Sequence, residues 1–310
     1  MRRLRGIEGR LIATALLAAS HVAGSGSPAF AAGAQRTFDS LEEATGALIS
    51  ALRTGEHKAL LAILGEEGCR LVSSGDPVAD RRSRERFVAA YDEQHKLEAG
   101  GGKVVLVVGR ENFPFPIPIV PDGPKWRYDT AAGKEEILNR RIGRNELNTI
   151  QVALAYVDAQ REYYTRAPGG DRLLHYARTF ASSPGKRDGL YWPTKPGEPL
   201  SPLGPLVVRA RAEGYAKRSA NPVPYWGYYY RILTAQGKDA PGRAYDYLAH
   251  GRLIGGFALV AFPAQYGVSG VMTFIVNHEG VVYQKDLGPK TAAIAGAMKE
   301  FNPDSTWQRI

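Results

Sequence analysis

Apolar positions in the first third of the chain recur at helical spacing. Leu41, Ala44, Leu48, Ala51 and Leu52 fall on one stripe that stops near Gly55. Ser40 and Glu43 stand three apart, the spacing of a capping box, and Phe38 lies near the position of a hydrophobic staple. A second short helix carries Leu60, Leu61, Ile63 and Leu64. Asp76-Pro77 reads as the N-cap and first residue of a third helix, with Phe87, Ala90 and Tyr91 on its apolar side. Its other side, Arg81, Arg82, Arg84, Glu85 and Arg86, reads as a solvated face.

The period then changes. Residues 103–108 form a β-branched run, residues 115–120 alternate with prolines, and 125–129 follow an Asp122-Gly123 turn. Pro114, Pro116 and Pro118 cannot donate to a central ladder, so that segment is expected at an edge or a bulge. His95 is expected in a charged helix end. The order, helices and then a curved antiparallel sheet, resembles the cone-shaped fold of the steroid-isomerase and nuclear-transport-factor class. Such a likeness concerns fold and implies no activity.

Residues 130–165 predict one long helix, or two joined at Gly143. Leu147, Ile150, Leu154 and Val157 form a 3-4-3 stripe that is expected to pack on a sheet. Asp171 is expected to cap a further helix bearing Leu173, Leu174, Tyr176, Ala177 and Phe180. A turn-rich loop at 182–193 leads to a short helix at 206–212. Strands follow at 227–234, 256–262, 271–276 and 281–285, the last two joined by an Asn277–Gly280 turn, before a helix at 290–301. The fold class expected is α+β in two domains: a cone-like helix-plus-curved-sheet domain at 36–130, and a long helix on an antiparallel sheet at 131–310.

With 310 residues, 44% hydrophobic and 23% charged, the chain has apolar material for two cores. Arg2, Arg3, Arg5 and Arg10 precede an apolar run at 11–22 and the small-residue frame Ala29-Phe30-Ala31, the three parts of a secretory signal peptide over 1–31. The apolar run is shorter than the roughly 20 residues a transmembrane helix needs, so no membrane span is expected in the mature chain. Secretion across the inner membrane, to the periplasm or beyond, is the expectation. Removing that segment takes four arginines and one glutamate and lowers the net charge from +9 to +6. Cys69 is the single cysteine, so no intramolecular disulfide is expected; it reads as a small buried hydrophobe.

The chemistry that can be read is sparse. Asp76, Asp80 and His95 are the candidate general bases for a cone pocket, with Asp76 better explained by capping. The histidines show no metal-ligand spacing, and no calcium loop, nucleophile elbow or phosphate loop is present, so no metal and no cofactor is expected. Basic residues interleave with acids, which argues against nucleic acid. The candidate binding residues are Arg140, Arg141, Arg144 and Glu146 on the long helix, with Lys186, Arg187, Asp188, Tyr191 and Trp192 in the loop. Glu136 and Arg140 form an i,i+4 pair, so the helix cluster also reads as an ion-paired surface. Tyr225, Trp226, Tyr228, Tyr229 and Tyr230 read first as core and second as a sugar-stacking set.

The strings LVSSGDPVADR (71–81), RRIGRNEL (140–147) with AYVDAQREYY (155–164), SSPGKRDGLYWP (182–193), GYYYRILTAQG (227–237) and GGFALVAFPAQYGVSGVMTFIVNHEGVVYQKDLG (255–288) resemble the bacterial domain-of-unknown-function 2950 family over residues 37–310. That likeness implies an exported two-part protein and carries no catalytic or ligand residue with it. The C-terminal part is also similar to the globular heads of pilin-like proteins, without the hydrophobic assembly helix ahead of the head. Two functions stay open at this point. One is a non-enzymatic envelope protein that binds or scaffolds a protein or glycan partner. The other is an envelope hydrolase or isomerase with its pocket in the cone or at the domain junction.

Overall fold

The computed structural model describes residues 34–168, 173–215 and 223–310. The segment 1–31 read as a signal peptide, and Asp171 with its expected capping role, lie outside them. Helix α1 (Leu41–Thr54) begins as its sequence dictates: the Ser40 side chain accepts from the Glu43 N–H, and Glu43 Oε2 accepts from Asp39 N–H at 2.9 Å. Gly55 ends the helix with φ at 68°, a left-handed turn that only glycine adopts without strain. Helices α2 (His57–Leu64), α3 (Cys69–Val72) and α4 (Pro77–Glu93) follow. Cys69 is exposed, against the buried position expected of it.

The first sheet contains β1 (His95–Gly100), β2 (Lys103–Val108), β3 (Phe113–Pro114), β4 (Ile119–Asp122) and β5 (Lys125–Tyr128). Its order is β1-β2-β4-β5, with β3 also on β2. His95 opens strand β1 and pairs with Val108, so the helix end expected there is corrected to a hairpin arm. Gly101 and Gly102, both at positive φ, make the turn that brings β2 back. The prolines confine β3 to two residues.

Helix α5 (Thr130–Arg166) is continuous for 37 residues and spans about 55 Å. Its buried face includes Thr149, Val152, Ala153, Tyr156, Val157, Gln160 and Tyr163; of the expected stripe Val157 is core and Ile150 and Leu154 pack against it, while Leu147 is 68% exposed. Residues 173–181, where a helix is expected, form none. Tyr176 bridges to Leu253 and Ala181 to Tyr191, both in extended backbone.

Helix α6 (Gly204–Ala212) precedes β6 (Tyr228–Leu233) and the two-residue strands β7 (Ala235–Gln236), β8 (Tyr245–Asp246), β9 (Leu248–Ala249) and β10 (Arg252–Leu253). Then come β11 (Ala258–Pro263), β12 (Met272–Asn277), β13 (Val282–Asp286), α7 (Thr291–Ala297), β14 (Glu300–Phe301) and β15 (Gln308–Arg309). The main sheet runs β15-β13-β12-β11-β6, all antiparallel, and one face of it packs on α5. The last helix is shorter than expected because Phe301 leaves it to pair in parallel with Gln236.

The class is α+β. One hydrophobic core lies between α1, α2 and the first sheet, and a second lies between α5 and the main sheet. Gly33–Ile310 nonetheless forms a single compact unit, which does not confirm a division into two domains at residue 131. Among the described residues no helix is long and apolar enough to cross a membrane.

Candidate functional site

Helix α4 has 17 residues and buries none of them, although Phe87, Ala90 and Tyr91 stand on one side. Its inner face meets a cavity of about 440 Å³ in place of a core. That size falls within the roughly 300–1,000 Å³ of small-molecule sites. Leu48, Leu60, Leu64, Val72, Val108 and Ile117 make the floor, each buried. Phe87 and Phe115, with ring centroids 5.2 Å apart, form part of the wall.

The charged lining comes from two helices. Arg84 and Arg86 reach it from α4, and Arg140, Arg141 and Arg144 from α5, against one carboxylate, Asp80. The floor is buried and these arginines are exposed or half-buried, so the charge stands on the solvent side. Arg141 donates to the carbonyls of Arg70 at 2.9 Å and Leu71 at 2.6 Å, near the end of α3. Arg140 donates to Glu136 at 2.6 Å and lies 4.8 Å over the Phe113 ring. Arg86 donates to Ser83 Oγ at 3.1 Å. Desolvation lowers the pKa of Arg144, and the charges of Arg86 and Arg141 lower it further. Guanidinium groups stay protonated throughout, so the shift records burial first and neighbouring positive charge second, and not titration.

Asp80 is engaged elsewhere: its carboxylate accepts from Ser74 N–H at 2.9 Å and Ser74 Oγ at 2.7 Å. Asp76 caps α4 through Ala79 N–H at 3.0 Å, as its sequence predicts. It is also fully buried, and its second oxygen accepts from Tyr215 Oη at 2.8 Å and Gly227 N–H at 2.9 Å. The cap therefore anchors the cavity's roof to the second half of the chain. His95 does not line the cavity.

The nine predicted residues separate. Arg140, Arg141 and Arg144 line the cavity, while Glu146 Oε1 accepts from Val271 and Met272 N–H at 2.9 Å each and so clamps α5 to β12. The loop residues line no part of the cavity. Lys186, Arg187 and Asp188 are exposed. Asp188 accepts from Ser183 N–H and Oγ, hydrogen bonds that hold its carboxyl below the ordinary range. Arg187 lies 5.6 Å over the ring of buried Trp192, and Arg211 donates to Tyr191 Oη at 2.7 Å. Of the aromatic set, Tyr228 is core, and it borders a second, smaller cavity of about 260 Å³ together with Tyr225, Tyr229 and Tyr230.

Arg84 and Arg86 were missed as site residues because α4 was read as having one solvated face. The signal that could have found the lining is the stripe Asp80, Ser83, Arg84, Phe87, Ala90, which puts polar and apolar residues on one face at i, i+3, i+4 spacing.

Residues 35–310 match the family described as Protein of unknown function (DUF2950). The chain belongs to the DUF2950 family. Neither the curated proteins nor the solved structures provide a match, and the likeness to pilin-like heads is not confirmed. Family membership assigns no residue a role, so function has to be argued from the cavity. Among the described residues no group of three or more His, Cys, Asp or Glu could hold a metal ion.

Proposed function

We propose that this DUF2950 protein is an exported, non-enzymatic binding protein of the bacterial cell envelope, and that its ligand occupies the cavity under α4. The observation that carries the reading is a 17-residue helix whose apolar side covers open volume of about 440 Å³. Close packing is the rule in protein interiors, and a gap of this size forfeits dispersion contacts along its whole lining. A ligand restores them. The hydrolase or isomerase reading draws less support, because the one carboxylate in the lining already accepts two hydrogen bonds from Ser74. Export rests on the basic, apolar and small-residue segments within 1–31.

Ala90→Trp tests the reading, since residue 90 lines the cavity from a half-buried position where an indole can enter the space. An environment-sensitive apolar dye is expected to bind the wild-type protein at one equivalent and to be excluded from the variant. Equal binding by both proteins would place the dye elsewhere and end the cavity reading. Fractionation of cells making the full chain with a C-terminal tag checks export, which fails if the chain stays unprocessed in the cytoplasm.

A further inference from the structure

The arginines of α4 divide by partner. Arg81 is 3.6 Å from Glu85, and Arg82 is 3.3 Å from Glu213. Both lie outside the cavity lining. Arg84 and Arg86 line the cavity, Arg84 with its guanidinium against Gly55 at the end of α1, and among the described residues neither forms an ion pair; nor does Arg144, which lines it from α5 and feels the charge of Arg86. Arginines thus outnumber carboxylates at the cavity, five to the single Asp80 in the lining, whereas Arg81 and Arg82 outside it each have an acid of their own.

Such an arrangement has a cost. Guanidinium groups half out of water repel one another, and the low dielectric beneath them strengthens that repulsion. Arg144 carries the mark of both, lowered first by burial and then by the charges of Arg86 and Arg141. Arg86 is crowded in the same sense by burial and by Arg82. A single anion among these groups would relieve the repulsion and gain charge-assisted hydrogen bonds, with guanidinium forks suited to two-oxygen acceptors.

Below the charge, the lining offers almost nothing that a sugar hydroxyl or an amide could pair with. Ser83 and Asp80 are its other polar side chains, and Asp80 is occupied by Ser74. An apolar floor under a cationic mouth selects a molecule with the same two parts. Resting on the cavity reading, we infer that the ligand is a single-chain amphiphile with a carboxylate or phosphate head, its alkyl chain in the cavity and its head among Arg84, Arg86, Arg141 and Arg144.

Four alkyl probes of one chain length, each below its micellar concentration, separate the contributions in calorimetric titrations of the full chain as exported. Dodecanoate and dodecyl phosphate are expected to bind at one equivalent. Dodecanol should bind about ten-fold more weakly or worse, a margin of about 1.4 kcal/mol, and dodecyltrimethylammonium not at all. Rising ionic strength should weaken dodecanoate and leave dodecanol unchanged. Arg144→Gln combined with Arg86→Gln should bring dodecanoate down to the level of dodecanol, whereas Arg81→Gln, outside the lining, should change nothing.

Dodecanol binding as tightly as dodecanoate would overturn the anionic head and leave the cavity reading standing. Failure of all four probes to bind would sink both. If the double variant does not fold, the salt dependence of the wild-type protein decides: a salt-independent dodecanoate affinity overturns the proposal.

Discussion

Gln160 pairs with Ala177 as a neighbouring strand would. Its Oε1 accepts from the Ala177 N–H at 2.9 Å, and its Nε2 donates to the Ala177 carbonyl at 2.8 Å. The same Nε2 lies 3.0 Å from Tyr156 Oη, and Gln160 is wholly buried. A side-chain amide thus completes an extended segment that has no continuous strand on that side. Gln160→Ala is expected to destabilise the protein by about 1–3 kcal/mol for each backbone group left bare. Gln160→Glu is expected to cost more, because a carboxylate cannot donate to the Ala177 carbonyl. Urea unfolding checks the order, and a tolerant Gln160→Glu would contradict the pairing.

Asp76 gives a pH signature. Burial pushes its carboxyl above the ordinary value, while the hydrogen bonds from Ala79, Tyr215 and Gly227 oppose the shift without cancelling it. A carboxyl with a raised folded value holds its proton more tightly when folded. Its contribution is complete below about pH 4 and is lost as the pH climbs through the folded value. Asp76→Asn does not titrate, and its amide nitrogen would face the Gly227 N–H in place of an acceptor. The stability gap between wild type and Asp76→Asn is therefore expected to be widest near pH 4 and to narrow towards about pH 7. A gap constant over that range would show that ionisation of Asp76 is indifferent to folding.

Two glycines inside α5 should respond in opposite directions. Nothing lies within 4 Å of a Cβ built on Gly143, so Gly143→Ala should stabilise by about 0.5–1 kcal/mol through helix propensity. A Cβ on Gly133 would fall 2.3 Å from the Pro116 carbonyl oxygen, where backbone presses on backbone. Gly133→Ala should destabilise by about 1–3 kcal/mol despite the same propensity gain. Melting temperatures that move together would contradict the close approach of α5 to the proline segment.

Glu146 offers a graded test of the clamp on β12. Its Oε1 accepts two backbone N–H groups, and removing it in Glu146→Ala should cost about 1–3 kcal/mol for each donor stranded. Glu146→Gln keeps an acceptor oxygen and should lose less. Hydrogen exchange at the Val271 and Met272 amides reads the effect directly, and unchanged protection in the alanine variant would show the clamp to be idle.

The helix α5 shows how far sequence reaches and where it stops. Its start near Thr130 and its extent are legible, because propensity and patterning are settled within a few turns; that it runs unbroken through Gly143 is decided only in the structure. Its buried face is legible only in part. Ile150, Leu154 and Val157 pack as their spacing predicts, but Leu147 at the start of that stripe is exposed, and the buried face also takes in the polar Thr149 and Gln160. Thr149 and Gln160 are buried because partners from distant segments satisfy them, and those partners lie outside any helical window. The same reason explains the segment at 173–181. Its apolar spacing suits a helix, but Leu253, Tyr191 and Gln160 offer its backbone hydrogen bonds in extended form.

What the sequence determined by itself is local. The Ser40 and Asp76 caps, the glycine stop at Gly55, the change of period into the first sheet and the hairpin turning at Asn277–Gly280 all depend on atoms a few residues apart, where sterics and short hydrogen bonds decide. Tertiary structure alone decided that α4 faces open volume, that arginines of α4 and α5 line it together with Arg86 near Arg144, and that Asp76 has two more donors waiting some 140 residues along the chain. A cavity is a place the side chains leave unfilled. No residue pattern spells that out, because it depends on how far apart the backbones of α1, α4, α5 and the first sheet are held by everything packed around them.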